Sequence, residues 1–389
     1  MQIFVPKETL PGERRVAISL DAVTRLTALG FEVVVESGAG EHAGMPDRLL
    51  TEAGVALAPD RQAALGVADV VACVRPLSGA DAGAMKPGAL LLGFLSPYGD
   101  HERLAAYAEA GIAAFAFEFV PRISRAQGMD ALSSQANLAG YAAVVRAADR
   151  FGKAMPMMMT AAGTVAPARV LVLGAGVAGL QAIATARRLG AVVSAMDVRP
   201  AAREQVESLG ATFVEVDSEE ARQAETSGGY AREMSADYRT RQAEKLRDTL
   251  KRTDICVTTA LIPGRPAPIL VTTTMVEGMR PGSVLVDLAV ELGGNVEPSR
   301  AGETVDHNGV MIVGDAHLVS SVAIDASALY ARNIVHFLTP LVSKEGAAKE
   351  GGGLAPDWSD EIVSSALLCR DGRLVHASLV EKPAPAVPA

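Results

Sequence analysis

Gly174, Gly176 and Gly179 stand in the hexapeptide GAGVAG, and Asp197 follows about 20 residues on. Glycines at this spacing serve one kind of chemistry. The first permits a tight turn, the second lets bare backbone N–H groups approach a pyrophosphate at a helix N-terminus, and the third lets helix and strand pack closely. The acid accepts hydrogen bonds from an adenosine ribose. A carboxylate at Asp197 repels a 2′-phosphate, which favours NAD(H) over NADP(H). Arg199 complicates this preference, because a nearby arginine can serve a 2′-phosphate, stack on the adenine or simply face solvent.

A second polar group is PRISRAQGMD, residues 121–130. Arg122, Arg125, Gln127 and Asp130 crowd together there between the apolar runs IAAFAFEFV and ALSSQANLAGYAAVV. A dehydrogenase acting on an alcohol or amine must also move a proton, and keeps a histidine, lysine or tyrosine for it. The histidines are His42, His101, His307, His317, His336 and His376. None is expected at a strand end of the first domain that would face the cofactor. Hydride transfer between two nicotinamides needs no proton acceptor; it needs two rings held at reacting distance. Guanidinium and amide groups can do that by holding carboxamides.

The elements that must position these residues alternate between strand and helix, which predicts parallel sheets with helical crossovers. QIFVP, FEVVVE, DVVACV, ALLLGFL and IAAFAFEF read as strands of a first unit. Ser19 caps the helix LDAVTRLTAL, Gly30 ends it, and Asp100 caps HERLAAYAEA. ARVLVLG, VVSAMDV, DICVTTAL, GSVLVDLAV and VMIVGD read as strands of a second unit. SSQANLAGYAAVVRAADRF and DASALYARNIVHFLTPLV read as long helices at the boundary. The expected fold is therefore α/β: two Rossmann-like, doubly wound parallel-sheet domains separated by a cofactor cleft and linked by two long helices. The expected domains are residues 1–135 with 326–389, and residues 136–325.

Residues 217–240 break the rhythm, either as a solvated helix with a linker or as a mobile flap. GAGEHA at 38–43 mimics the nucleotide turn, but Glu41 would face a phosphate, and Gly44 and Pro46 interrupt any helix there. It reads as a structural turn. The Met155–Met159 cluster reads as core or interface filler, and EKPAPAVPA as a linker-like end.

The bulk composition agrees with a soluble two-domain enzyme. The chain has 389 residues, 49% hydrophobic and 21% charged, with a formal net charge of −9 that argues against nucleic acid as a partner. Cys73, Cys256 and Cys369 have no metal-ligand spacing and read as reduced thiols, so no metal is expected. No signal peptide is apparent, and no apolar run reaches the ~18 residues that a membrane span needs.

PKETLPGERRVAIS, PRISRAQGMDALSSQANLAGYAAV, PMMMTAAGTVAPARVLVLGAGVAGLQAIATARRLGA, REQVESLGA, GGYAREM, TTALIPGRPAP and GSVLVDLAVELGGN together resemble the soluble NAD(H)-binding component of proton-translocating NAD(P) transhydrogenases, in order and over almost the whole chain. The chain resembles NAD-dependent alanine dehydrogenases more weakly. In those, Arg15 would hold a substrate carboxylate, and a catalytic histidine would follow ALLLGFL. LSPYG stands there instead, which leaves Arg15 a structural role.

The transhydrogenase resemblance implies that Arg122 and Asp130 orient the NAD(H) carboxamide with help from Ser133, which also has a second reading as a helix cap. Gln127 would reach NADP(H) on a partner component. Gly174, Gly176, Val177, Gly179, Asp197 and Arg199 would hold the pyrophosphate and adenosine. Gly229 and Tyr230 would lie on a closing flap, and Leu261 would line the cleft. PMMMTAAGTVAP would form a hairpin arm of a homodimer. An NADP(H)-binding component and a membrane-spanning component would complete a proton-pumping assembly, placing this chain at the cytoplasmic face of the membrane. An amino-acid dehydrogenase and a non-catalytic NAD(H) sensor stay open as alternatives.

Overall fold

The computed structural model describes residues 1–216, 235–262, 264–343 and 353–380. The chain forms two compact units, one of residues 1–135 and 322–389, the other of residues 136–321. The return to the first unit falls at Val322, ahead of the expected 326.

The first unit is built on an eight-stranded sheet. From one edge the strands are Arg373–Leu374, Leu367–Arg370, Ala113–Ala116, Leu90–Gly93, Val70–Ala72, Gln2–Val5, Glu32–Glu36 and Ala56–Ala58. The six strands from Ala113–Ala116 onward pair in parallel, and the two from the end of the chain add antiparallel. Val70–Ala72, Leu90–Gly93 and Ala113–Ala116 are buried throughout, as strands covered on both faces must be. Period-two alternation sends Ile3, Val5, Val33 and Val35 into one core, and Phe4 and Val34 into the other.

Local signals set the helix ends. Ser19 Oγ accepts from Ala22 N at 3.2 Å, and Asp100 Oδ1 from Arg103 N at 3.0 Å. Gly30 closes the first helix with φ +87°, where a Cβ would be strained. The helix Ala323–Leu338 brings the last segment back by burying Tyr330, Ile334 and Phe337 in the first unit's core. The Tyr330 hydroxyl donates to Cys73 O at 2.8 Å, so its one polar atom is satisfied.

The second unit carries a seven-stranded sheet, in the order Thr212–Phe213, Val192–Met196, Arg169–Leu173, Ile255–Thr258, Val284–Asp287, Val310–Val313, Thr304–His307. Every pair is parallel except the last. Apolar clusters cover both faces. The chain steps from Arg169–Leu173 outward one way and then returns to its other side with Ile255–Thr258. Open α/β sheets place ligands at such a reversal, beyond the carboxyl ends of the strands. The expected doubly wound parallel-sheet fold is what both units show.

The helix Ala131–Arg150 starts in the first unit and continues into the second. Met158–Thr160 and Gly163–Val165 form a separate exposed hairpin. Met155 is buried, but Met159 is 80% exposed, so the methionine cluster is split between core and surface. Among the described residues the cysteines are free and buried, no group of side chains could hold a metal, and no helix is long and apolar enough to cross a membrane.

Candidate dinucleotide site

The strand Arg169–Leu173 runs into Gly174, and the helix Val177–Arg188 leaves the turn. Each glycine has a distinct geometric reason. Gly174 has φ +95°, and a Cβ there would lie 2.7 Å from Thr259 Oγ1. A Cβ on Gly179 would lie 1.8 Å from the carbonyl oxygen of Gly174, so no side chain fits between helix and turn. Gly176 has an ordinary φ of −78°, and a Cβ there would meet nothing within 4 Å. Gly176 is also the N-cap, with no side chain satisfying the helix start, and Val177 at the first helical position is 40% exposed. Open space before an uncapped helix N-terminus suits a pyrophosphate.

Asp197 is more committed than its spacing suggests. Its Oδ2 accepts from Ala175 N at 2.7 Å and from Arg199 Nη2 at 2.8 Å. Its Oδ1 accepts from Arg199 N at 2.8 Å and Arg199 Nε at 3.0 Å. The carboxylate thus ties the glycine turn to the neighbouring strand end and clasps the guanidinium two residues on. None of the readings open for Arg199 included what the structure shows, an ion pair with Asp197. A ribose would share these oxygens or displace the guanidinium.

The loop after Ile255–Thr258 borders the turn. Thr259 Oγ1 donates to Gly174 O at 3.1 Å. Asn295 clamps this loop: its Oδ1 accepts from Ala260 N at 2.9 Å, and its Nδ2 donates to Ala260 O and Pro268 O at 2.9 and 2.8 Å. Asp287, fully buried, accepts from Thr258 Oγ1 and from the backbone N–H groups of Ala289, Asn295 and Val296. Leu261 is left 45% exposed on the held loop. Neither Asp287 nor Asn295 has an assigned role in the sequence reading; the acid ending the buried strand Val284–Asp287 and the amide closing DLAVELGGN were the available signal.

In the first unit, PRISRAQGMD forms an extended entry followed by the 3-10 helix Ser124–Met129. Arg122 and Gln127 are both exposed. Asp130 begins the long helix: its Oδ1 accepts from Ser133 N at 2.8 Å, and its Oδ2 from the Ser133 hydroxyl at 2.6 Å. The cap is therefore Asp130, not Ser133, because the carboxylate sits three residues ahead of the N–H it satisfies. Arg125 forms a surface ion pair with Asp360 at 2.5 Å.

Two residues of the returning helix hold this segment and were missed. Asn333 Nδ2 donates to Gly128 O at 2.8 Å, and a Cβ on Gly128 would meet the His336 ring at 3.0 Å. Their i,i+3 spacing places them on one face of the helix, but only the tertiary fold sets that face against Gly128. His336 is exposed. Arg15 is buried on Glu13, at 2.6 Å, and on Gln135 Oε1, at 2.9 Å, in keeping with its structural reading. Gly229 and Tyr230 lie outside the described residues, as does most of the 217–240 segment; its end begins the helix Ala236–Leu250.

GAGEHA at 38–43 is a structural turn. It contains the 3-10 helix Glu41–Ala43, stopped by Gly44 at φ +73°. A Cβ on Gly40 would lie 2.2 Å from Met45 O, and Asp47 Oδ1 accepts from Gly38 N at 2.8 Å.

Residues 4–139 match the model of the alanine dehydrogenase/PNT N-terminal domain, and residues 143–377 that of the alanine dehydrogenase/PNT C-terminal domain. An NAD(P) transhydrogenase subunit alpha chain of Rhodospirillum rubrum is 53% identical over 384 residues, covering 97% of this chain and 99% of the relative. A crystal structure of transhydrogenase from Sinorhizobium meliloti superposes with TM-score 0.86 at 47% identity, over 96% of this chain and all of that one. An L-alanine dehydrogenase structure superposes with TM-score 0.79 at 25% identity, over 97% of this chain and 98% of that one. With both domain models matched in order over nearly its whole length, this chain belongs to the alanine dehydrogenase/PNT family.

Proposed function

We propose that this chain is the NAD(H)-binding peripheral component of a proton-translocating NAD(P) transhydrogenase. The observation that carries the nucleotide reading is the uncapped helix start at Gly176, with open space where a side chain would stand. The similarity to transhydrogenase alpha subunits supports the choice of reaction. Bound NADH supplies a hydride, which NADP+ on a partner component accepts. Gly174, Gly176, Val177 and Gly179 hold the pyrophosphate with backbone N–H groups. Asp197 takes the adenosine ribose, with Arg199 moving aside, and Leu261 lines the nicotinamide side. Arg122 and Asp130 orient the carboxamide with Ser133, and exposed Gln127 reaches toward the partner's NADP(H). Gly229 and Tyr230 close over the nucleotide. The exposed hairpin with Met157–Met159 joins two copies as a homodimer, and a membrane-spanning component couples hydride transfer to proton movement at the cytoplasmic face.

The test is a reconstitution. Chain plus NADP(H)-binding partner reduces NADP+ from NADH, and Gln127→Asn slows this step about tenfold while NADH affinity stays within about twofold. Collapse of NADH affinity in that variant would remove Gln127 from its partner-facing role.

An amino-acid dehydrogenase is favoured by the likeness to L-alanine dehydrogenase and by the His336 ring against Gly128, which puts a proton-accepting group beside the polar segment. NADH formation from NAD+ and L-alanine by the chain alone would overturn the transhydrogenase reading. NADH binding without activity toward any partner would point to a sensor.

A further inference from the structure

The second unit has a cavity of about 350 Å³ at the opposite end of its sheet from the glycine turn. Arg169 opens the strand whose other end leads into Gly174, so roughly 15 Å of strand separates the two places. The registers Arg169↔Val192, Leu171↔Ser194 and Ser194↔Thr212 put these residues on one face of the sheet. The helix Ala236–Leu250 covers the inner region of that face through Leu246 and Leu250. Its Lys245 and Thr249, followed by Arg252, border the region left uncovered.

The charges at this cavity are unbalanced. Arg169, Lys245 and Arg252 all line it, and among the described residues none has a side-chain ion pair or side-chain hydrogen bond. Elsewhere in the unit Arg146 pairs with Asp315, and Arg199 with Asp197. Glu215, the acid on the cavity wall, is taken by Arg203 at 2.9 Å. Asp248, near Arg252 in sequence, is 63% exposed and paired with Lys251 at 2.9 Å. Three cationic side chains thus share a concave site with no carboxylate hydrogen-bonded or ion-paired to them among the described residues, Asp254 taking only the backbone N–H of Arg169 at 2.8 Å, in a chain whose net charge is −9. Ser194 and Thr212 add hydroxyls, and Val192 and Phe213 add apolar wall.

We propose that this cavity binds a small phosphate monoester with an apolar body. Such a group carries about −1.5 to −2 charges at neutral pH and three strong acceptor oxygens, enough to engage several cationic donors at once. Arginine forks match its oxygens in pairs, whereas a monocarboxylate would leave most of the positive charge unbalanced. The volume is within the range of small-molecule sites. This proposal is independent of the dinucleotide reading, because Arg169 and Arg252 stand at or before the amino ends of their strands, away from the glycine turn.

Calorimetry on the intact chain at low salt, with phenyl phosphate, inorganic phosphate and succinate as probes, tests it. Phenyl phosphate should bind more tightly than inorganic phosphate, because the apolar wall adds contact, and succinate should bind more weakly than either. The double variant Lys245→Gln, Arg252→Gln should weaken phenyl phosphate about tenfold. Its NADH affinity and melting temperature should match the parent's. Saturating NADH should leave phenyl phosphate binding intact. Equal binding by parent and variant, competition by NADH, succinate binding as tight as phenyl phosphate, or no phosphate binding at millimolar concentration would each overturn the proposal.

Discussion

Residues 38–43 and 174–179 share a Gly-x-Gly spacing after a parallel strand, yet they leave opposite kinds of space. At Gly40 a Cβ would run into Met45 O at 2.2 Å; at Gly176 it would meet nothing within 4 Å. Asp47 satisfies the N–H of Gly38, whereas no side chain caps the helix after Gly176. The first unit repeats this habit at other strand ends. Glu8 accepts from Val74 N and Arg75 N at 2.6 and 3.2 Å, and Glu118 from Leu95 N and Ser96 N at 3.2 and 2.7 Å. Asp197 and Asp287 answer backbone donors in the second unit in the same way, but the helix start at Gly176 has no such side-chain partner. A glycine pattern signals phosphate binding only when the chain does not fill the space itself.

The sharpest way to break this contrast is to add side chains at the two crowded glycines. Gly179→Val should abolish measurable NADH binding and cost about 3 kcal/mol or more of stability, since the clash is with backbone. Gly40→Ala should also destabilise, by about 1–3 kcal/mol, yet leave the NADH affinity of the folded protein unchanged. Fluorescence titration with thermal melts checks both, and weakened NADH binding in Gly40→Ala would undo the contrast.

Glu8 tests the carboxylates of the first unit through pH. Burial pushes its carboxyl up to about 7 from an ordinary value of 4.5, against the lowering effect of its amide partners. Between those values the folded state keeps the proton that the unfolded state has released. Stability from this group is therefore lost as pH rises through the window, by on the order of 2–3 kcal/mol in total. Glu8→Gln should flatten that slope, as read from denaturant midpoints between pH 4.5 and 7; an unchanged slope would mean that Glu8 does not carry it.

Gly176→Ala should weaken NADH about tenfold by obstructing the phosphate approach, while stability moves by no more than about 0.5 kcal/mol. A large drop in melting temperature would show that Gly176 serves packing rather than a ligand. Asp197→Ala should have the smallest effect, weakening NADH a few-fold and strengthening NADPH, because the released Arg199 becomes available to a 2′-phosphate. Parallel titrations with the two nucleotides measure the ratio; if NADPH gains nothing, the clasp is not what sets nucleotide choice.

Much of the scaffold was legible because its signals are local. Ser19 and Asp100 act within three residues, buried strands advertise themselves as apolar runs, and GAGVAG lies between a strand and a helix. The same locality explains the errors. Ser133 had the reading of a helix cap, and only the hydrogen-bond directions assign the cap to Asp130. Asn333 reaches Gly128 from 205 residues away, and Asn295 reaches Ala260 from 35. No periodicity in the chain announces such pairs.

The sequence by itself determined the alternation of strands and helices, and with it two parallel-sheet units and the place of the glycine turn, because backbone sterics and period-two burial act between near neighbours. Tertiary structure decided which hexapeptide keeps open space, that Arg199 is clasped by Asp197, and that Arg169, Lys245 and Arg252 border one cavity. Those outcomes depend on strand order, register and helix docking, which bring together side chains far apart along the chain.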